Sequence, residues 1–122
     1  MYSSEFIGTF IFVFSILCIT SIDGLNHMQT AISVGLALVI SILATLGLNK
    51  ESKAHLNPAV SAAFYVKGDG DMNFGSLITL IVMQVVAGLL ALGLFKFIKA
   101  NDSKTDGALK SIIEKTVNWS EF

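Results

Sequence analysis

The chain has 122 residues and no arginine; all eight of its basic residues are lysines. Nine acidic residues bring the net charge to −1, a balance that gives no reason to expect a nucleic-acid partner. The one cysteine, Cys18, excludes an intrachain disulfide and reads as a small buried hydrophobe inside an apolar segment. Two scattered histidines and one cysteine are too few for a metal site. There is no nucleophile–base pair and no pair of carboxylates, so neither enzyme activity nor a cofactor is expected. Charge is scarce, at 14% of residues against 53% hydrophobic, with a mean hydropathy of +0.72. A soluble domain this small would need a more polar surface. The start lacks a basic region and a small-residue cleavage site, so a cleaved signal peptide is not expected.

What is present is apolar and long. Three stretches, about 2–22, 30–48 and 74–99, read as transmembrane helices of an integral, multi-pass membrane protein. Ala37, Ser41, Ala44 and Thr45 form a stripe of small residues on the second, suited to close helix packing. The link Asp23–Gln29 is short, and His27 is expected to be solvated there. Between the second and third stretches lies Ala54-His55-Leu56-Asn57-Pro58-Ala59-Val60. Asn is a strong N-cap, and Pro is favoured at the first helical position. The apolar run then continues to Val66 before Lys67-Gly68-Asp69-Gly70-Asp71 stops it. A helix over 58–66 would be about 13 Å long, about half of the hydrocarbon core. This is the expectation for a re-entrant half-helix. If the Asn57 side-chain oxygen caps, its NH₂ group is left to donate outward beside the positive end of the helix dipole. Such a site suits a water or alcohol oxygen and disfavours a cation.

The seven-residue string Ala54–Val60 resembles the first signature of the aquaporin and glycerol-facilitator family, the major intrinsic proteins. So do Glu5-Phe6-Ile7-Gly8-Thr9 in the first segment and Gln84 in the third. The resemblance covers roughly residues 2–99, which corresponds to the first half of a family member. It implies an all-α membrane protein with three transmembrane helices and one re-entrant half-helix. It also implies passive passage of water or small uncharged solutes such as glycerol. Asn57, Pro58 and Ala59 would be the pore signature, and extended backbone at Ala54, His55 and Leu56 would turn carbonyls toward the pore. Glu5, His55 and Gln84 would support the loop, Glu5 by accepting hydrogen bonds from its backbone N–H groups. Val34, just before Gly35, and Val60 would stand at constrictions. The chain departs from the family pattern in four places. Only four residues precede Glu5, where family members usually have two more turns. Lys53 follows Ser52 where a Gly is usual. Gln84 is followed three residues later by Ala87, with Gly88 next. Val60 takes the place at which the family's second half carries Arg.

A family pore needs two inverted repeats whose half-helices meet at the midplane. One half-helix cannot enclose a pore. With the N-terminus inside, Lys50, Lys53 and Lys67 lie on the inner side and Lys96, Lys99, Lys104, Lys110 and Lys115 on the outer. That distribution sets no clear orientation. The expectation is an antiparallel homodimer in the lipid bilayer that carries Asn57 twice, with higher assembly open. The alternative is a non-conducting half-channel that associates with a full-length relative, or an inactive fragment. The remainder, 100–122, reads as a polar tail with a short amphipathic helix over about 108–118. Leu109, Ile112, Ile113 and Val117 share its face, and Trp119 and Phe122 would anchor at the membrane interface.

Overall fold

The computed structural model describes residues 2–68 and 72–117. Every regular element among them is helical: α1 (Tyr2–Thr20), α2 (His27–Leu48), α3 (Pro58–Lys67) and α4 (Phe74–Val117). Three of these, α1, α2 and α4, are long and apolar enough to cross a membrane. The fold is therefore an all-α, multi-pass membrane architecture with one short additional helix.

α1 lies between α2 and α4, and α3 rests on α4. On α4 the buried residues are Leu77, Leu80, Gln84, Ala87 and Ala91, at alternating steps of three and four. That spacing keeps one stripe of the helix turned to its neighbours. Ala87 is fully buried and Gly88 only half-buried, so the small residue at the tight contact on α4 is Ala87. From α2 the buried residues are Ala37, Ser41 and Thr45, while Ala44 is half-buried. The Ser41 and Thr45 hydroxyls donate 2.8 Å bonds to the carbonyls of Ala37 and Ser41, so small polar side chains pack without stranded donors. Gly8 of α1 faces Thr45 of α2 and Leu56 of the loop. A Cβ there would overlap Thr45 Oγ1 and come within 2.7 Å of Leu56 Cδ2.

The helix ends differ from the sequence expectation by a few residues; α1 stops at Thr20 rather than Ile22, and α3 runs to Lys67 rather than Val66. α2 begins at His27 rather than Thr30, because Asn26 and Gln29 form a reciprocal capping box with bonds of 2.9 and 3.0 Å. His27 is exposed, as expected, but in the first turn of that helix rather than in a loop.

The larger correction concerns α4. The third span was expected to stop near Lys99, with a separate short helix over about 108–118. Instead one helix of 44 residues runs to Val117. No proline interrupts residues 100–107, and Gly107 costs only about 1 kcal/mol against Ala in a helix already nucleated by the span. At about 66 Å, α4 is more than twice the thickness of a hydrocarbon core. Residues 101–116 are exposed throughout, including Leu109, Ile112 and Ile113. This arm is continuous with the span rather than a separate helix. Trp119 and Phe122 fall outside the described residues, as do Asp69 to Asp71 of the expected stop after α3.

Candidate functional site: the re-entrant loop and half-helix

α3 starts where its residues dictate. Asn57 is the N-cap, with φ −151° and ψ 127°, and its Oδ1 accepts a 2.9 Å bond from the Ala59 N–H. Pro58 follows at the first helical position, where a missing N–H costs nothing. Ten residues later Gly68 ends the helix in the left-handed conformation, with φ 77°. α3 is about 15 Å long, half the thickness of a membrane core.

The loop feeding α3 is not the extended segment that was expected. Ala54 has φ 48° and Leu56 has φ 54°, both in the left-handed region that residues other than glycine seldom occupy. Each such residue costs on the order of 1–3 kcal/mol and persists only where its surroundings hold it there. Here the holding group is Glu5, which is 1% exposed. Its Oε1 accepts the His55 N–H at 2.8 Å, and its Oε2 accepts the Leu56 N–H at 2.9 Å. Two successive backbone N–H groups thus converge on one carboxylate, the geometry of an anion-binding nest. Ser52 Oγ donates to Oε1 at 3.1 Å while accepting the Ala54 N–H at 3.2 Å. Gln84 Nε2 completes the set at 3.4 Å from Oε2. A buried carboxylate with this many donors is compensated for its loss of hydration.

A second knot lies against the first. Gln84 Nε2 donates to Ser61 Oγ at 3.0 Å, and Ser61 Oγ is 3.1 Å from His55 Nδ1. The His55 ring stacks on Phe64 with centroids 4.7 Å apart. The Lys53 and Lys67 ammonium groups stand 6.0 and 5.5 Å from the centre of the Phe64 ring. Lys53, in the position where glycine was usual, is exposed and leaves the buried side of the loop to Ser52.

The structure therefore joins Glu5, His55, Leu56 and Gln84 in one buried cluster. Two members were not singled out from sequence: Ser52 and Ser61. Ser61 carries a legible signal, being a small hydroxyl in an apolar helix, four residues after the N-cap, that needs a partner if it faces inward. On the opposite side of α3, Asn57, Ala59 and Val60 are exposed, and Pro58 is half-buried. Asn57 Nδ2 has no partner among the described residues. Ala54 is half-buried in the loop. Val34 sits half-buried on α2 and takes no part in the cluster.

The arrangement is a buried clamp behind the loop and an open, uncharged helix N-terminus in front of it. Comparison with curated proteins and with solved structures gave no match. The family description Major intrinsic protein matches residues 1–122, the whole chain. With three apolar helices, a half-length helix capped by Asn57-Pro58 and a carboxylate clamp behind it, the chain belongs to the major intrinsic protein family of membrane channels for water or small solutes.

Proposed function

We propose that this chain forms a passive pore for water and small uncharged solutes, glycerol among them, and that the pore closes by pairing two half-repeats. One observation carries the reading. Asn57 spends its side-chain oxygen on the Ala59 N–H and keeps its NH₂ group free at the exposed N-terminus of α3. A hydrogen-bond donor beside a positive dipole end favours a neutral solute oxygen over a cation. Ala54, His55 and Leu56 would supply carbonyl acceptors along the approach, and Val34 and Val60 would narrow it. With Val60 in place of a charged residue and no arginine in the chain, proton exclusion would rest on the paired half-helices and Asn57.

Pairing follows from the single half-helix. Its exposed face, which includes Ala59, Val60 and Ala63, can be enclosed only by a second element. An oppositely inserted copy would supply it by the symmetry that inverted repeats use. The alternative occupant is a full-length relative, which would make this chain a non-conducting half-channel.

The test is osmotic shrinkage of liposomes holding this chain alone, against the Asn57→Asp variant. Asp caps a helix as well as Asn, so the variant keeps α3 while removing the NH₂ donor. Fast shrinkage that drops to the lipid background in the variant is the expected result. Shrinkage no faster than bare lipid, from folded and inserted protein, would favour the half-channel reading.

A further inference from the structure

Where α1 ends, α4 continues, and the step between them leaves a groove of about 500 Å³. Its apolar lining comes from Phe14 on α1 and from Phe95 and Ile98 on α4; its charged lining is Lys99, Asp102 and Asp106. This size lies within the range of small-molecule sites, roughly 300–1,000 Å³. Its height is set by the sequence. α1 stops at Thr20, and the short link 21–26 carries Ser21, Asp23 and Asn26, so the groove opens where hydrocarbon gives way to headgroups.

The charges are arranged in a way the chain does not itself satisfy. Lys99, Asp102 and Asp106 follow one another at three- and four-residue steps, which turns all three to the same side of α4. Lys99 Nζ lies 5.8 Å from the centre of the Phe95 ring, and no ion pair joins it to Asp102 or Asp106. The two aspartates stand one turn apart, a mildly unfavourable like-charge spacing, and neither is in an ion pair with Lys99 or with Lys110, one turn beyond Asp106. One ammonium and two carboxylates that form no ion pair, at the rim of an apolar slot, complement a ligand with a phosphate, a hydrogen-bonding cation and a hydrocarbon chain.

We infer that this groove binds a zwitterionic phospholipid with a primary amine, of the phosphatidylethanolamine class. Lys99 takes the phosphate, Asp102 and Asp106 take the ammonium N–H donors, and an acyl chain lies along Phe14, Phe95 and Ile98. A quaternary ammonium has no N–H to donate, and a glycerol headgroup has no cation, so both fit the aspartates less well. A second groove of about 470 Å³ between α1 and α2 supplies an internal contrast. It is lined by Phe14, Ile19, Leu36 and Ile40 among others and by no charged residue, so it should take hydrocarbon without regard to headgroup. The inference depends on membrane embedding alone and not on how the pore closes.

The experiment is native mass spectrometry of the whole chain in detergent, with phosphatidylethanolamine, phosphatidylcholine and phosphatidylglycerol of identical acyl chains added singly and in competition. The expected result is at least fivefold preferential retention of phosphatidylethanolamine over either of the others. The Asp102→Asn/Asp106→Asn double variant should lose that preference, and Lys99→Gln should weaken retention of all three. Lys115→Gln, nine residues beyond Asp106 and outside the groove, should leave the pattern unchanged. Equal retention of the three lipids by the unaltered chain would mean non-selective boundary lipid and would overturn the proposal. So would a preference that survives in the double variant with its helical circular dichroism intact. The competition on the unaltered chain decides the matter even if a variant fails to fold.

Discussion

Glu5 and Leu56 are 51 positions apart in the chain, and a 2.9 Å hydrogen bond from the Leu56 N–H to Glu5 Oε2 joins them in the buried interior. The bond reaches a residue whose backbone is left-handed, at φ 54°. α1 thus holds in place a loop conformation that its own sequence disfavours. That loop in turn sets where α3 begins, and hence where Asn57 is presented.

Glu5→Gln keeps the side-chain length but exchanges one acceptor oxygen for a donor amide facing donors. We expect destabilisation of about 3 kcal/mol, the scale of hydrogen bonds to a charged group plus a donor left unpaired. Thermal unfolding followed by circular dichroism reads the stability, and osmotic shrinkage of liposomes should fall toward bare lipid. Unchanged values in both measurements would remove Glu5 from the role given to it here.

Gly8→Ala sets a methyl group into the Thr45 side chain of α2 and close to the Leu56 side chain of the re-entrant loop. The expected cost is about 1–3 kcal/mol from overpacking. Thr45→Ala in the same chain should recover part of it, and a double-mutant cycle measures the coupling. Gly47→Ala is the contrast, since a Cβ there meets nothing within 4 Å. That variant should be neutral or more stable by up to about 1 kcal/mol.

Ser61→Ala removes the hydroxyl to which Gln84 donates and which His55 Nδ1 approaches. Two buried polar groups lose a partner, so a cost of about 1–3 kcal/mol is expected. Water flux should fall more than stability alone accounts for, because the same bonds brace the loop against α3. Ser61→Thr, which retains the hydroxyl, should lie closer to the original than Ser61→Ala; the reverse order would argue that volume rather than hydrogen bonding matters at this position.

Ala54 and Leu56 share the left-handed conformation but differ in what else they do. Ala54→Gly relieves the backbone and gives up little packing, so stability should stay within about 1 kcal/mol. Leu56 is 4% exposed and touches the Gly8 crossing, so Leu56→Gly should cost about 2–5 kcal/mol despite the same relief. Thermal unfolding of the two single variants side by side separates strain from burial.

Much of this architecture is local and could be read directly. The apolar runs are long enough to force spanning helices, because a backbone in lipid must satisfy its own hydrogen bonds. Asn57-Pro58 before an apolar run suits a helix start, and Gly68 is suited to a helix end. The link between Glu5 and the loop rested on the family resemblance, not on spacing. Asn26 and Gln29 carried a readable capping box, and it moves the start of α2 by three residues.

From the sequence alone it follows that three apolar segments form helices long enough to span and that a fourth, short helix starts at Asn57-Pro58. Those outcomes follow from hydrophobic length and end-capping chemistry, which act over a few residues. Only the tertiary structure decided the left-handed turns at Ala54 and Leu56, because their strain is offset by a carboxylate some fifty residues away. It also recruited Ser52 and Ser61, whose worth depends on which neighbours face them across the helix contacts. The long α4 falls between the two. Its residues permit a helix throughout, and the span supplies the nucleus that a short polar segment in water lacks.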